Sequence, residues 1–189
     1  MTAPLPVLRS LPYFPTETAI VLGSERIAVR RYQIIVWLSI AGIGDDEPPT
    51  DPRRFHAILD TGHNDNFAIS PRQLRDWVGI AWAGLPLEPG VERRYQTIPV
   101  PHRRANLWLH PNQFGWRDEF DPGLPPVLLE LDAGIAVYGD GEQVGVTATT
   151  GLIGPRLPLL GLRALTTSRL RLRVEADTCS VWIDRVVKG

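Results

Sequence analysis

A single cysteine, Cys179, stands among 189 residues, which excludes an internal disulfide framework and a multi-cysteine zinc site. Neither sign of charge dominates. Lys and Arg number 20 against 21 Asp and Glu, the formal net charge is −1 and the pI is near 6.4, so an electrostatic nucleic-acid binder is excluded. Long apolar runs are also missing. The longest, Ile34 to Ile43, is broken by Ser39 and Gly42 and falls short of a bilayer span. Met1 to Phe14 is interrupted by Pro4, Pro6 and Pro12 and lacks the continuous apolar stretch of a secretory signal. There is no Gly-x-Ser-x-Gly nucleophile motif and no phosphate-binding glycine loop. The four histidines, His56, His63, His102 and His110, lack metal-ligand spacing. These absences predict a soluble cytoplasmic protein that needs no metal or other cofactor and binds neither nucleic acid nor membrane.

Glycine (17) and proline (18), by contrast, are plentiful, and punctuation of that density excludes a helical bundle or a coiled coil. The apolar share of 43% is enough for the core of one domain at this length. Residues 1–25 are Pro-rich and weakly patterned, and read as a tail or strap over a domain spanning 26–189. Arg26 to Arg31 alternates polar and apolar, and Gln33 to Ala41 is an apolar run of buried-strand length. Arg54 to Asp60 puts Phe55, Ala57 and Leu59 on one face and His56 and Ile58 on the other, and Asn66 to Ile69 is a further short strand. Ser70 as cap, Pro71 at the first helical position, Leu74, Trp77 and Val78 at helical spacing, and Gly79 as terminator predict a helix.

Arg93 to Val100 and Arg104 to His110 read as a hairpin through Pro101-His102-Arg103. An inserted loop rich in Pro, Gly and Asp occupies 111–126. Short strands follow at Val127 to Leu131 and Gly134 to Tyr138, with a tight turn at Gly139-Asp140-Gly141. Leu157 to Leu160 is apolar and leads into a short helix ending at Leu165; Leu170, Leu172 and Val174 alternate with arginines, and Ser180 to Asp184 closes the series. About ten short strands with one or two short helices predict an all-β barrel or sandwich.

The sharpest chemical feature is Phe55-His56-Ala57-Ile58-Leu59-Asp60-Thr61-Gly62, a mostly apolar strand running into Asp-Thr-Gly. A carboxylate at the end of a buried strand is costly unless it is hydrogen-bonded or functional. Thr61 brings a hydroxyl, and Gly62 lets the chain turn tightly beside the carboxylate. Downstream lies Leu157-Pro158-Leu159-Leu160-Gly161-Leu162-Arg163-Ala164-Leu165.

Apolar-apolar-Asp-Thr-Gly, then apolar-apolar-Gly-x-x-x-Leu, then a closing strand pair resembles the retropepsin-like aspartic proteases, over roughly Arg26 to Asp184. The resemblance implies a closed β-barrel of the acid protease fold and an endopeptidase acting on polypeptides. It implies Asp60 as the catalytic carboxylate and Thr61 as the residue whose hydroxyl bonds across a dimer axis. Gly62 completes the motif. Leu159, Leu160 and Gly161 would pack behind the loop and line the cleft, with Asn64 and Asp65 at substrate-facing positions. One Asp-Thr-Gly, in a chain too short for two full lobes, implies that the second Asp60 comes from a second copy in a two-fold homodimer.

The chain departs from the family pattern at several positions. His63 replaces a small residue and is a candidate modulator of the site's titration: its imidazole charges below about pH 6.5 and shifts the dyad if it faces it, or it points outward and plays a structural part. Retroviral members pair an acid four residues after the catalytic Asp with an Arg directly after the second Gly; here these are Asn64 and Leu162, both partners lost together. The flexible flap of the family maps to the hairpin around Pro101 to Arg104 or, as a rival, to Ala133 to Val146. Leu131-Asp132-Ala133-Gly134-Ile135 repeats apolar-Asp-x-Gly but reads as a surface turn, because no second lobe can accompany it. Trp77, Trp82, Trp108 and Trp116 read as core, and Arg169, Arg171 and Arg173 as a solvated strand face. Two alternatives remain at this stage. One is a catalytically inactive peptide-binding or assembly module of the same fold, kept open by His63. The other is a β-sandwich with an accidental Asp-Thr-Gly, in which Asp60 and Gly161 lie far apart.

Overall fold

The structure is a computed structural model that describes residues 5–22, 25–44, 47–48, 53–95, 98–112, 119–138 and 155–186. The chain opens with strands β1 (Leu5–Pro12), β2 (Thr18–Leu22), β3 (Glu25–Val29), β4 (Ile34–Ala41), β5 (Phe55–Asp60) and β6 (Phe67–Ile69). A helical segment follows, made of α1 (Pro71–Gln73) and a π-helical turn over Leu74–Val78. Ser70 and Gln73 form the reciprocal capping box that starts it, and Gly79, at φ +80°, ends it in the left-handed region. Strands β7 (Arg93–Tyr95), β8 (Ile98–Val100), β9 (His102–Arg103), β10 (Asn106–His110), β11 (Val127–Leu129), β12 (Ile135–Val137) and β13 (Leu159–Gly161) come next. Helix α2 (Leu162–Thr167), strands β14 (Leu170–Glu175) and β15 (Ser180–Arg185), and a single 3-10 turn at Trp82–Gly84 before β7 complete the described elements.

The central eight-stranded sheet has the order β11-β10-β4-β5-β13-β6-β12-β9. It is buried on both faces at its middle. Val36, Leu38 and Ile40 of β4 join Phe55, Ala57 and Leu59 of β5 in the main core, while Ile35 on the opposite face packs with Ile20, Ile27, Val29 and Leu157 beneath the β2–β3 ribbon. That is why β4 reads as a continuous apolar run rather than an alternating one. The sheet curls into a half-barrel whose edge strands, β11 and β9, do not pair with each other. The architecture is therefore mostly β with short helices, and the expected closure into a barrel is not realised among the described residues.

Two further expectations change. Residues 5–12 of the expected tail form β1, which pairs antiparallel with β15 in a three-stranded sheet of order β1-β15-β14. Leu8 and Leu11 are fully enclosed in the main core. Pro6 and Pro12 are tolerated because β1 is an edge strand, and register shifts on both sides of Leu8 absorb the irregularity. The hairpin also moves. β7 pairs with β8 (Arg93 opposite Val100), whereas β9 pairs with β12 and β10 with β4 and β11, so no hairpin turns through Pro101 to Arg104. The tip of the rival hairpin, Gly139 to Gly141, lies outside the described residues, as does Trp116. Trp108 is buried, and Trp77 and Trp82 pack against the main core.

Candidate active site

The site begins with how β13 is threaded. β5 and β6 are joined by the loop 61–66, and β13 lies between them, parallel to β5 and antiparallel to β6. Leu159, Leu160 and Gly161 sit opposite Ile58, Leu59 and Asp60. The Gly161 N–H donates to the Asn66 carbonyl at 3.0 Å, and the Ile58 N–H to the Pro158 carbonyl at 2.8 Å. Asp60 and Gly161, separated by a hundred residues of chain, are thus direct neighbours, not far apart as the accidental-motif alternative expected.

Glycine at 161 has a steric cause. A Cβ there would fall against the carbonyl oxygens of Asp65 and His63, far inside van der Waals contact. The loop that carries Asp60 folds directly over Gly161, and only a missing side chain allows it. Leu160 is enclosed in the main core. Leu159 points the other way and packs with Ala68, Val100, Ala136, Ile98 and Tyr138.

Asp60 is half-buried at the end of β5. Its Oδ1 accepts the Gly62 N–H at 2.9 Å, and its carbonyl accepts the His63 N–H at 3.2 Å. Thr61, Gly62 and Asn64 are exposed, and His63 is half-buried. The His63 imidazole is held below its ordinary pKa because burial outweighs the opposing charges of Asp65 and Asp60. It charges only in more acidic solution than an exposed imidazole.

Asp65, expected to face substrate, is turned inward. It is 8% exposed, its Oδ2 accepts from the Tyr138 hydroxyl at 2.8 Å, and His102 Nε2 lies 3.6 Å from its Oδ1, an ion-pair rather than a hydrogen-bond distance. Burial alone would raise its pKa; the His102 and Tyr138 contacts win and bring it down to about 2. Asp65 is therefore an internal anion that ties the loop to β9 and to the end of β12.

A second polar tie was hidden in the expected surface turn. Arg163 donates from Nε to Asp132 Oδ1 at 2.9 Å and from Nη2 to Oδ2 at 2.8 Å, and Asn66 Nδ2 donates to the same Oδ1 at 3.1 Å. The ion pair lost at Asn64 and Leu162 is replaced by one whose arginine sits one position later and whose acid comes from a different turn. Sequence could show the turn through Gly134, which takes φ +62°, but not its partner thirty residues away.

A cleft of about 270 Å³ lined by Ser70, Arg72, Gln73, Trp77, Pro155 and Arg156 lies beside α1, and no residue of the Asp60 loop lines it. Among the described residues no group of three or more His, Cys, Asp or Glu is placed to hold a metal ion. No helix among them is long and apolar enough to cross a membrane. No protein-family model matches the chain, and neither the curated proteins nor the solved structures contain a match to it.

Proposed function

We propose that the chain is a retropepsin-like aspartic endopeptidase that hydrolyses peptide bonds through a dyad formed by Asp60 from each of two copies. The observation that carries the reading is the threading of β13 between β5 and β6, with Gly161 in register with Asp60 at the start of an Asp-Thr-Gly loop. The arrangement holds a half-buried carboxylate on a rigid strand end, with its oxygen oriented by the Gly62 N–H.

Hydrolysis without a metal or a protein nucleophile needs one carboxylate to take a proton from water and another to carry a proton to the substrate. The water oxygen bonds to the scissile carbonyl carbon as its proton passes to the ionised Asp60. The protonated Asp60 of the other copy hydrogen-bonds the developing oxyanion. The C–N bond then breaks as the Asp60 that took the water's proton passes it to the amine nitrogen, leaving a carboxylic acid, a free amine and the dyad with its single shared proton. Two carboxylates about 3 Å apart cannot both ionise, so the pair shares one proton and its two titrations split apart. Thr61, exposed beside Asp60, is the residue for a bond across the two-fold axis. Leu159 and Asn64 are the substrate-facing positions. The β7–β8 hairpin, whose Ile98 and Val100 pack with Leu159, takes the covering role. The reading places the enzyme in the cytoplasm, acting on polypeptide without a cofactor.

His63 favours a second reading, a peptide-holding module of the same fold that does not cut. Its ring stands half-buried three residues after Asp60, with Nε2 enclosed and without a hydrogen-bond partner among the described residues. Asp60→Asn separates the two. The variant keeps the shape and removes the group that shares the proton. Under the peptidase reading, cleavage of an unfolded polypeptide is lost while the circular dichroism spectrum and the melting curve persist. Equal cleavage by the variant moves the chemistry elsewhere, and a wild-type chain that binds peptide without cutting it favours the second reading.

A further inference from the structure

We infer that Asp132 and Arg163 are positioning residues for the Asp60 loop, an ion pair that fixes Asn66 and, through it, the register of Asp60 against Gly161. The inference deepens the peptidase reading and rests on it. Three segments meet at the Asp132 carboxylate: the turn between β11 and β12, the first turn of α2, and the end of the loop 61–66. Arg163 approaches with the two-pronged geometry of a guanidinium on a carboxylate, which fixes direction as well as distance. Asn66 is 1% exposed, so water does not readily take over its side-chain bonds. Its amide donates to Asp132 Oδ1 at 3.1 Å, while its own carbonyl accepts the Gly161 N–H at 3.0 Å. One residue thereby joins the ion pair to the strand that faces Asp60.

Gly134 adopts φ +62°, and a Cβ there would run into the Arg103 carbonyl, so the turn that carries Asp132 requires glycine where it passes beside β9. Hydrogen bonds from Arg163, first, and from Asn66 hold the Asp132 carboxyl below the usual carboxylate range, and it stays ionised through neutral pH. Asp132 and Arg163 are 46% and 32% exposed, and an exposed pair adds little to global stability. The consequence of breaking it therefore falls on geometry. A carboxylate displaced by a fraction of an ångström loses rate while the fold remains.

Asp132→Asn keeps the shape and weakens the bonds to Arg163 and Asn66. In the full chain it should lower kcat about tenfold with KM unchanged. Amide exchange at Gly161 and across 61–66 should speed up, and the melting temperature should stay within about 3 °C of wild type. Asp132→Glu, which restores the charge, should recover most of the rate. Wild-type kcat and wild-type loop exchange in Asp132→Asn overturn the inference, as does a rate loss that only tracks a lower melting temperature. If the wild-type chain cleaves no peptide, the peptidase reading falls, and the exchange measurement alone decides the brace: faster exchange confined to the loop supports it, unchanged exchange overturns it.

Discussion

His56 packs against Trp37 with ring centroids 3.8 Å apart and the planes inclined by 50°, is completely enclosed, and has no hydrogen-bond partner for either ring nitrogen among the described residues. Burial pushes its pKa down to about 4. His110, buried against Phe120 with Nε2 2.8 Å from the Ser39 hydroxyl, is likewise brought to about 4, by burial first and then by the charge of Arg54. Both bind a proton less readily when folded than when unfolded. The unfolded chain therefore takes up more protons as pH falls from about 6.5 to 4, and stability declines across that window. Each histidine contributes about 3 kcal/mol to the loss. Denaturant midpoints measured from pH 7 to 4.5 should fall steeply, and His56→Leu should flatten the slope; a midpoint independent of pH contradicts this assignment. Asp65, brought down to about 2, loses its ionised contacts only at still lower pH.

β1 is the element that sequence hid most completely. Its prolines mimic a strap, yet Leu8 and Leu11 are fully enclosed and the strand pairs along its length with β15. Leu8→Ala should cost about 3 kcal/mol, read as a shift in denaturation midpoint, because it opens a void in close-packed surroundings. A change near zero would mean that β1 is the surface strap its prolines suggest. β4 and β5 were legible because buried parallel and antiparallel neighbours leave an apolar signature with strand length. The site's key glycine was legible as a motif but not as a steric necessity, since the carbonyls of His63 and Asp65 reach Gly161 only after the loop folds over it. The hairpin was misplaced by a few residues because Pro101 interrupts the pairing pattern that would have shown β9 joining β12. The inward turn of Asp65 and the tie from Asp132 to Asn66 depend on tertiary partners, His102, Tyr138 and Arg163, that no local pattern announces.

At the scale of the whole molecule, the proposed reading has one Asp-Thr-Gly loop supply half of a dyad. The Asp60 loop leaves Thr61, Gly62 and Asn64 exposed. Under the proposed reading peptidase action belongs to the pair rather than to the single chain, and specific activity should fall on dilution as the copies separate. The measurement that bears most directly on this account is the separation of the two Asp60 carboxylates in an experimental structure of the assembled species. The account predicts a two-fold axis between the loops and carboxyl oxygens about 3 Å apart, close enough to share a proton. An assembly in which the Asp60 loops face away from each other, with their carboxylates too distant to hold one water between them, contradicts it.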